Sequence, residues 1–196
     1  MTAVLARGFD QPVAQSQATF RAVMQALANP GRLIAFRSTL DTDTPLPVNA
    51  AALGLALLDF EVTFHLAPSL SAGSVADYLR FHTGARAAKT TQDAALAFLD
   101  LAKDTLCLAD YAQGTPDYPD RSTTLIALST RAETGMAIAG PGIKAVGTLG
   151  IAPLPADFTV QWAANRAGFP LGVDILFVTE EGFIGLPRST RIVGGV

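Results

Sequence analysis

The chain contains one cysteine, two histidines, one tryptophan and three lysines among 196 residues. A single thiol, Cys107, excludes an intrachain disulfide. One cysteine with two well-separated histidines, His65 and His82, makes no zinc pattern. Cys107 lies in an apolar stretch and reads as a small core residue rather than a nucleophile. Charge is scarce as well: 16% of residues carry it, against about 25% in an ordinary domain. With 49% hydrophobic residues, such a chain is expected to cover part of its surface in an oligomer or a complex. A compact α/β monomer with a generous core is the alternative. The net charge of −3 gives no overall positive field to attract nucleic acid or an anionic membrane. The longest apolar run, Ala50 to Leu58, falls far short of the ~20 residues of a membrane span. No basic-then-apolar leader opens the chain, so the cytoplasm is the expected location.

What is present is an alternation of helical and strand patterns over one domain, residues 1–196, without internal repeats or low-complexity linkers. DQPVAQSQATFRAVMQALANPG predicts an amphipathic helix, with Asp10 as cap, Pro12 in the first turn, and Phe20, Val23, Met24 and Leu27 as its apolar stripe. RLIAFR reads as a short strand, PVNAAALGLALLDF as a buried helix and EVTFHLA as an alternating strand. SVADYLRFHTG carries Ser74 and Asp77 in capping-box spacing, with Gly84 as a stop. AALAFLDL fits a strand or a helix and is taken as a strand, KDTLCLADYAQG reads as a short helix, PDYPDRS as a loop, and TTLIALS and GMAIAGPGI as a pair of strands. PADFTVQWAANRAG predicts a helix ending at Gly168, and LGVDILFVT and FIGLPRST are two closing strands. The last two lie too close together for a helical crossover, so they must be antiparallel. The fold class expected is α/β with a mixed β-sheet between helices.

Asp174 sits inside FPLGVDILFV, where an uncompensated carboxylate is costly. If Glu180, Glu181 and Gly182 form a three-residue hairpin loop, Asp174 falls opposite Arg188. That register predicts a structural ion pair between them, although a slip of one residue would send Arg188 to the other face. A functional carboxylate is the competing reading. Pro187 marks a strand end, so Arg188, Ser189, Thr190 and Arg191 would lie at the rim, either as an oxyanion site or as an ordinary polar strand end. His65 reads as a half-exposed strand residue and His82 as a capping group at a helix C-terminus. AGPGIKAVG has neither dinucleotide nor P-loop spacing, and Pro141 lacks an N–H. Lys89, Lys103 and Lys144 are the candidates for a Schiff base, and none stands in a setting that lowers its pKa. Catalytic residues are therefore unknown from motifs, and no cofactor or metal is implied.

Several segments taken in order resemble the PhnH family of the bacterial carbon–phosphorus lyase system: QATFRAVMQALANPG, LRFHTGA, TTLIALS leading to AGPGI, and FPLGVDILFV with GLPRSTR. They span the chain nearly end to end; Asp104 to Ser122 resembles the family least. The resemblance implies a cytoplasmic protein of phosphonate catabolism that joins G, I and J subunits in a core complex and is a homodimer when isolated. That complex installs an alkylphosphonate on the ribose triphosphate of ATP with release of adenine; a radical step on the iron–sulfur J subunit follows. The fold implied is similar to the large domain of pyridoxal-phosphate (PLP) dependent transferases, but without PLP. The family has no settled catalytic residues. Phe81, His82 and Thr83 match one recurring segment, Pro170, Gly172 and Asp174 another, and Pro187, Arg188 and Thr190 a third. The leading expectation is an accessory subunit. The alternatives are an enzyme that binds phosphonate or nucleotide through His82, Arg188, Thr190 and Arg191, and a relic of a pyridoxal enzyme.

Overall fold

The computed structural model describes residues 6–71 and 73–193. Helix α1 (Pro12–Ala28) begins after Gln11, which takes the cap position expected of Asp10. The Gln11 side chain makes no capping bond; instead its backbone N–H donates to the Gln15 side chain at 2.6 Å. Strand β1 (Ile34–Ala35) is only two residues long, and α2 (Val48–Leu57) is the buried helix its composition predicts. Then come β2 (Thr63–Leu66), a single turn α3 (Pro68–Ser71), α4 (Val75–Thr83), β3 (Arg86–Ala87) and β4 (Leu96–Asp100). Gly84 ends α4 in the left-handed region at φ 72°; Ser74 occupies the N-cap but its hydroxyl makes no capping bond. β5 (Thr124–Leu128), β6 (Thr130–Ala139), β7 (Gly147–Ala152), α5 (Phe158–Ala167), β8 (Asp174–Val178), β9 (Gly182–Leu186) and β10 (Arg191–Ile192) complete the described chain.

Seven strands form one mixed sheet in the order β1-β9-β8-β5-β4-β2-β3. β9 runs antiparallel to both its neighbours, while β8, β5, β4, β2 and β3 are mutually parallel. Alternate residues feed two cores. Ile126, Leu176 and Val178 point to the face covered by α1, α2 and α4, with Leu53, Phe64 and Tyr78. Leu125, Ile175 and Phe177 point to the other face, with Phe158 and Trp162 of α5 and Ile138, Leu149 and Ile151 of a second sheet. That second sheet, β10-β6-β7, replaces half of the helical layer expected there. TTLIALS and GMAIAGPGI are therefore both strands but not partners. β5 joins the main sheet, and β6 pairs with β7 through the AGPG turn.

Two further segments depart from expectation. KDTLCLADYAQG forms a 3₁₀ turn at Leu108–Asp110 rather than an α-helix. Side chains hold its backbone: Gln113 donates to the Leu108 and Tyr111 carbonyls at 2.8 Å, and Gln161 bonds Leu108 N–H and Leu106 O. Those bonds compete with the helical ladder. In α1 the buried residues are Thr19, Ala22, Val23 and Ala26, while Phe20 and Met24 are 49% and 48% exposed. Gly185 of β9 explains the choice. A Cβ there would lie 2.5 Å from the Ala26 carbonyl oxygen. Helix backbone meets strand backbone, and only alanine-sized side chains fit between them.

Candidate functional site

Asp174 is placed by the helix before it. The Asn165 side chain of α5 accepts the Val173 N–H at 2.8 Å and donates to the Val173 carbonyl at 3.0 Å. Gly172, at φ +121°, makes that approach possible, since a Cβ would fall 2.8 Å from Asn165 Oδ1. The carboxylate of Asp174 then meets the exit of β9. It accepts the Arg188 backbone N–H at 2.7 Å, Arg188 Nε at 3.1 and 3.2 Å, and Nη2 at 2.5 Å. Nη2 also donates to Ser122 Oγ at 2.5 Å, and Nη1 to the carbonyls of Pro119 at 2.8 Å and Pro170 at 3.3 Å. All five guanidinium N–H groups are thus engaged, and the side chains are 14% and 21% exposed for Arg188 and Asp174. The cluster joins three chain segments, 119–122, 170–174 and the exit of β9, and leaves Arg188 no donor for a ligand.

The register that brings them together is not the expected one. The hairpin loop has two residues, Glu180 and Glu181, closed by Thr179 N–H to Gly182 O at 2.9 Å. Val178 pairs with Phe183 and Ile175 with Leu186, a shift of one. Arg188 still reaches Asp174, because β9 ends at Leu186 and Pro187 turns the chain. Past the strand end, alternation no longer dictates the side chain's face.

Thr190 is fully buried; its N–H donates to Pro187 O at 2.8 Å and its carbonyl accepts Trp162 Nε1 at 3.0 Å, while its hydroxyl has no partner among the described residues. Arg191 starts β10 opposite Ala139, and its exposed side chain lines a cavity of about 580 Å³ against α5, with Val160, Trp162 and Arg166. His82 stands apart. Its Nε2 lies 3.0 Å from the Ala6 carbonyl, so that nitrogen carries the proton. Tyr78 and Phe81 pack edgewise on the ring, at centroid distances of 4.7 and 5.0 Å. It lines a different cavity, with Arg7, Phe9 and Asp10. The structure thus joins Arg188 to Asp174 and sets Arg191 beside Thr190 and Trp162, but His82 shares no hydrogen-bond partner or cavity with either arginine.

The family model described as "Bacterial phosphonate metabolism protein (PhnH)" matches residues 7–193. The chain belongs to the PhnH family. A relative from Rhizobium meliloti strain 1021, named alpha-D-ribose 1-methylphosphonate 5-triphosphate synthase subunit PhnH, is 36% identical over 188 residues, covering 94% of this chain and 93% of its own. HtxG of Stutzerimonas stutzeri, whose name assigns it provisionally to the C-P lyase as a subunit, is 29% identical over 182 residues, 91% of this chain and 86% of its own. The match takes in every segment described above, the Asp174–Arg188 cluster and the β6–β7 sheet included.

On this PhnH-type framework, two polar sites escaped sequence reasoning. Asp104 accepts Ser69 N–H at 3.0 Å, Ser69 Oγ at 2.5 Å and Asp100 N–H at 2.9 Å, closing the ends of β2 and β4 against each other. Burial pushes its carboxyl up, but the Ser69 and Asp100 hydrogen bonds and Lys103 outweigh that and hold it below the ordinary value. Arg166 is the second. It stacks on Phe169 three residues later, 4.9 Å from the ring centroid, and its Nε is buried without a partner. The spacing Trp162, Arg166, Phe169 at the end of a helix was the readable signal. Among the described residues, no group of three or more His, Cys, Asp or Glu is placed to hold a metal. No helix there is long and apolar enough to cross a membrane.

Proposed function

We propose that this chain is an accessory subunit of a ribose 1-methylphosphonate 5-triphosphate synthase, working in the cytoplasm beside G-, I- and J-type subunits of a carbon–phosphorus lyase core complex. In the reaction proposed for the assembly, a phosphonate oxygen forms a bond to C1′ of ATP while the bond from C1′ to adenine breaks, and adenine leaves. The observation that carries this reading is identity of 36%, extending over 94% of the chain, with a relative named as such a subunit. Its surface supports a docking role. Charge is sparse at 16%, and Val13, Phe20 and Met24 form an exposed apolar stripe along α1. A homodimer in isolation, and a likeness to the large domain of PLP-dependent transferases without the cofactor, belong to the same proposal. Co-expression with the G, I and J types, followed by affinity capture of this chain, tests it. Stoichiometric recovery of the three partners is expected; recovery of this chain by itself would defeat the reading.

A further inference from the structure

The cavity between α5 and β10 has the composition of a ligand site that the accessory role does not use. It is about 580 Å³ in volume, within the range of small-molecule pockets. Its charged lining residues are Arg166 and Arg191, and no acidic residue lines it. Among the described residues neither arginine has a carboxylate oxygen within 4.0 Å. The two are prepared differently. Arg166 lies with its guanidinium over Phe169, which fixes the plane and leaves the edge to bond. Its Nε is enclosed by protein and has no acceptor among the described residues, so the guanidinium meets a ligand in the cavity through its two terminal nitrogens. Arg191 reaches in from the edge strand β10. The rest of the wall is apolar apart from Thr159: Val160, Trp162, Ala163, Ala167 and Ile192.

We propose that this cavity binds a small organic oxyanion, with its acid head on the guanidinium edges of Arg166 and Arg191 and its apolar body against Trp162 and Val160. Two cations with no carboxylate beside them among the described residues select the anion, and the apolar wall selects against the bare inorganic ion. The limited volume favours a small molecule over a peptide. The site is separate from Arg188, whose donors are all taken by Asp174, Ser122, Pro119 and Pro170.

Trp162 is the only tryptophan and lines the cavity, so its fluorescence reports occupancy directly. The purified full-length chain is titrated with phenylphosphonate, benzoate, inorganic phosphate and benzyl alcohol. Saturable change is expected with phenylphosphonate or benzoate, with either order of preference supporting the proposal. Phosphate is expected to bind about tenfold more weakly, and benzyl alcohol to give no saturation. Arg166→Gln and Arg191→Gln should each weaken binding about tenfold or more, with partial recovery in Arg166→Lys, which keeps charge but loses the fork. Should an arginine variant fail to fold, Ala163→Leu fills the cavity and keeps both cations; it should abolish the signal with an unchanged circular dichroism spectrum. Lack of saturation by either organic acid up to about 10 mM, equal binding of benzyl alcohol, or binding untouched by Arg166→Gln, Arg191→Gln and Ala163→Leu overturns the proposal. Co-purification with the partner subunits does not depend on the result.

Discussion

Arg188 shows how a charged side chain can be a structural fixture near the end of a strand. Its five donors meet a carboxylate, a hydroxyl and two carbonyls, so removing the carboxylate leaves a cation only partly compensated. Asp174→Ala is expected to lower stability by about 3 kcal/mol, the low end of the range for breaking a buried pair, because Ser122, Pro119 and Pro170 still hold the guanidinium. Urea unfolding of the variant and of the Asp174→Ala/Arg188→Met double variant checks this; a double variant no more stable than the single one would contradict it. His65 makes a different demand. Burial holds its imidazole below the ordinary 6.5, and its Nδ1 is enclosed with no partner. The unfolded chain therefore takes up the proton first as pH falls below 6.5, and stability drops until the folded imidazole titrates too. His65→Gln should flatten the stability profile between about pH 7 and 5, as read by urea midpoints across that window. An unchanged slope would assign the pH dependence to other groups.

At the scale of elements, the contact between α1 and β9 sets how close the helical layer comes to the sheet. A Cβ on Gly185 would meet the Ala26 carbonyl oxygen at 2.5 Å and its carbon at 2.6 Å, both backbone atoms that no rotamer change can move. Gly185→Ala should therefore cost about 3 kcal/mol, the upper end of ordinary overpacking, as a fall in urea midpoint with an unchanged m-value. A cost under half of that would show that α1 can lift without loss. This contact also explains which readings of the sequence succeeded. Periodicity located α1 and turned Val23 and Leu27 toward the core, but it misplaced the rest of the buried face. Phe20 and Met24 follow the apolar spacing, yet the small residues Thr19, Ala22 and Ala26 face the core, and only the glycine on the partner strand decides that. α2 and the antiparallel β8–β9 pair were legible because length and composition alone specify them, while the segment of β4 suited a helix as well as the strand it forms. β7 was missed because Gly147 and Gly150 interrupt a strand whose core residues, Leu149 and Ile151, do alternate. In the site, the Asp174–Arg188 contact could be foreseen from charge in a strand and Arg166 from its spacing to Phe169, whereas Ser122 and Asn165 are linked to the cluster by no local pattern.

Across the whole molecule, the helical layer and the small sheet lie on opposite faces of the main sheet, yet they touch around its β1 edge. The contact is made by two turns of similar composition, Asn29-Pro30-Gly31 after α1 and Gly140-Pro141-Gly142 between β6 and β7. Gly142, at φ +81°, is so close to α1 that a Cβ would lie 2.4 Å from the Ala28 carbonyl oxygen and 2.9 Å from Pro30 Cδ. Gly31, at φ +76°, presses in return on Ile138 of β6 and the Thr148 carbonyl of β7. Gly31 N–H also donates to Gly185 O at 3.0 Å, so the same turn grips the main sheet. The two layers are thereby coupled through backbone rather than through exchangeable side chains, and strain at one turn must be shared by the other. Gly142→Ala combines a forbidden close approach with a left-handed backbone and is expected to cost about 2–3 kcal/mol. The diagnostic reading is amide hydrogen exchange. Coupling requires faster exchange both in β6 and β7 and in the last turn of α1, with β2 and β4 unchanged. If protection fell in the β6–β7 hairpin and nowhere in α1, the two layers would be independent and the interlock a contact without consequence.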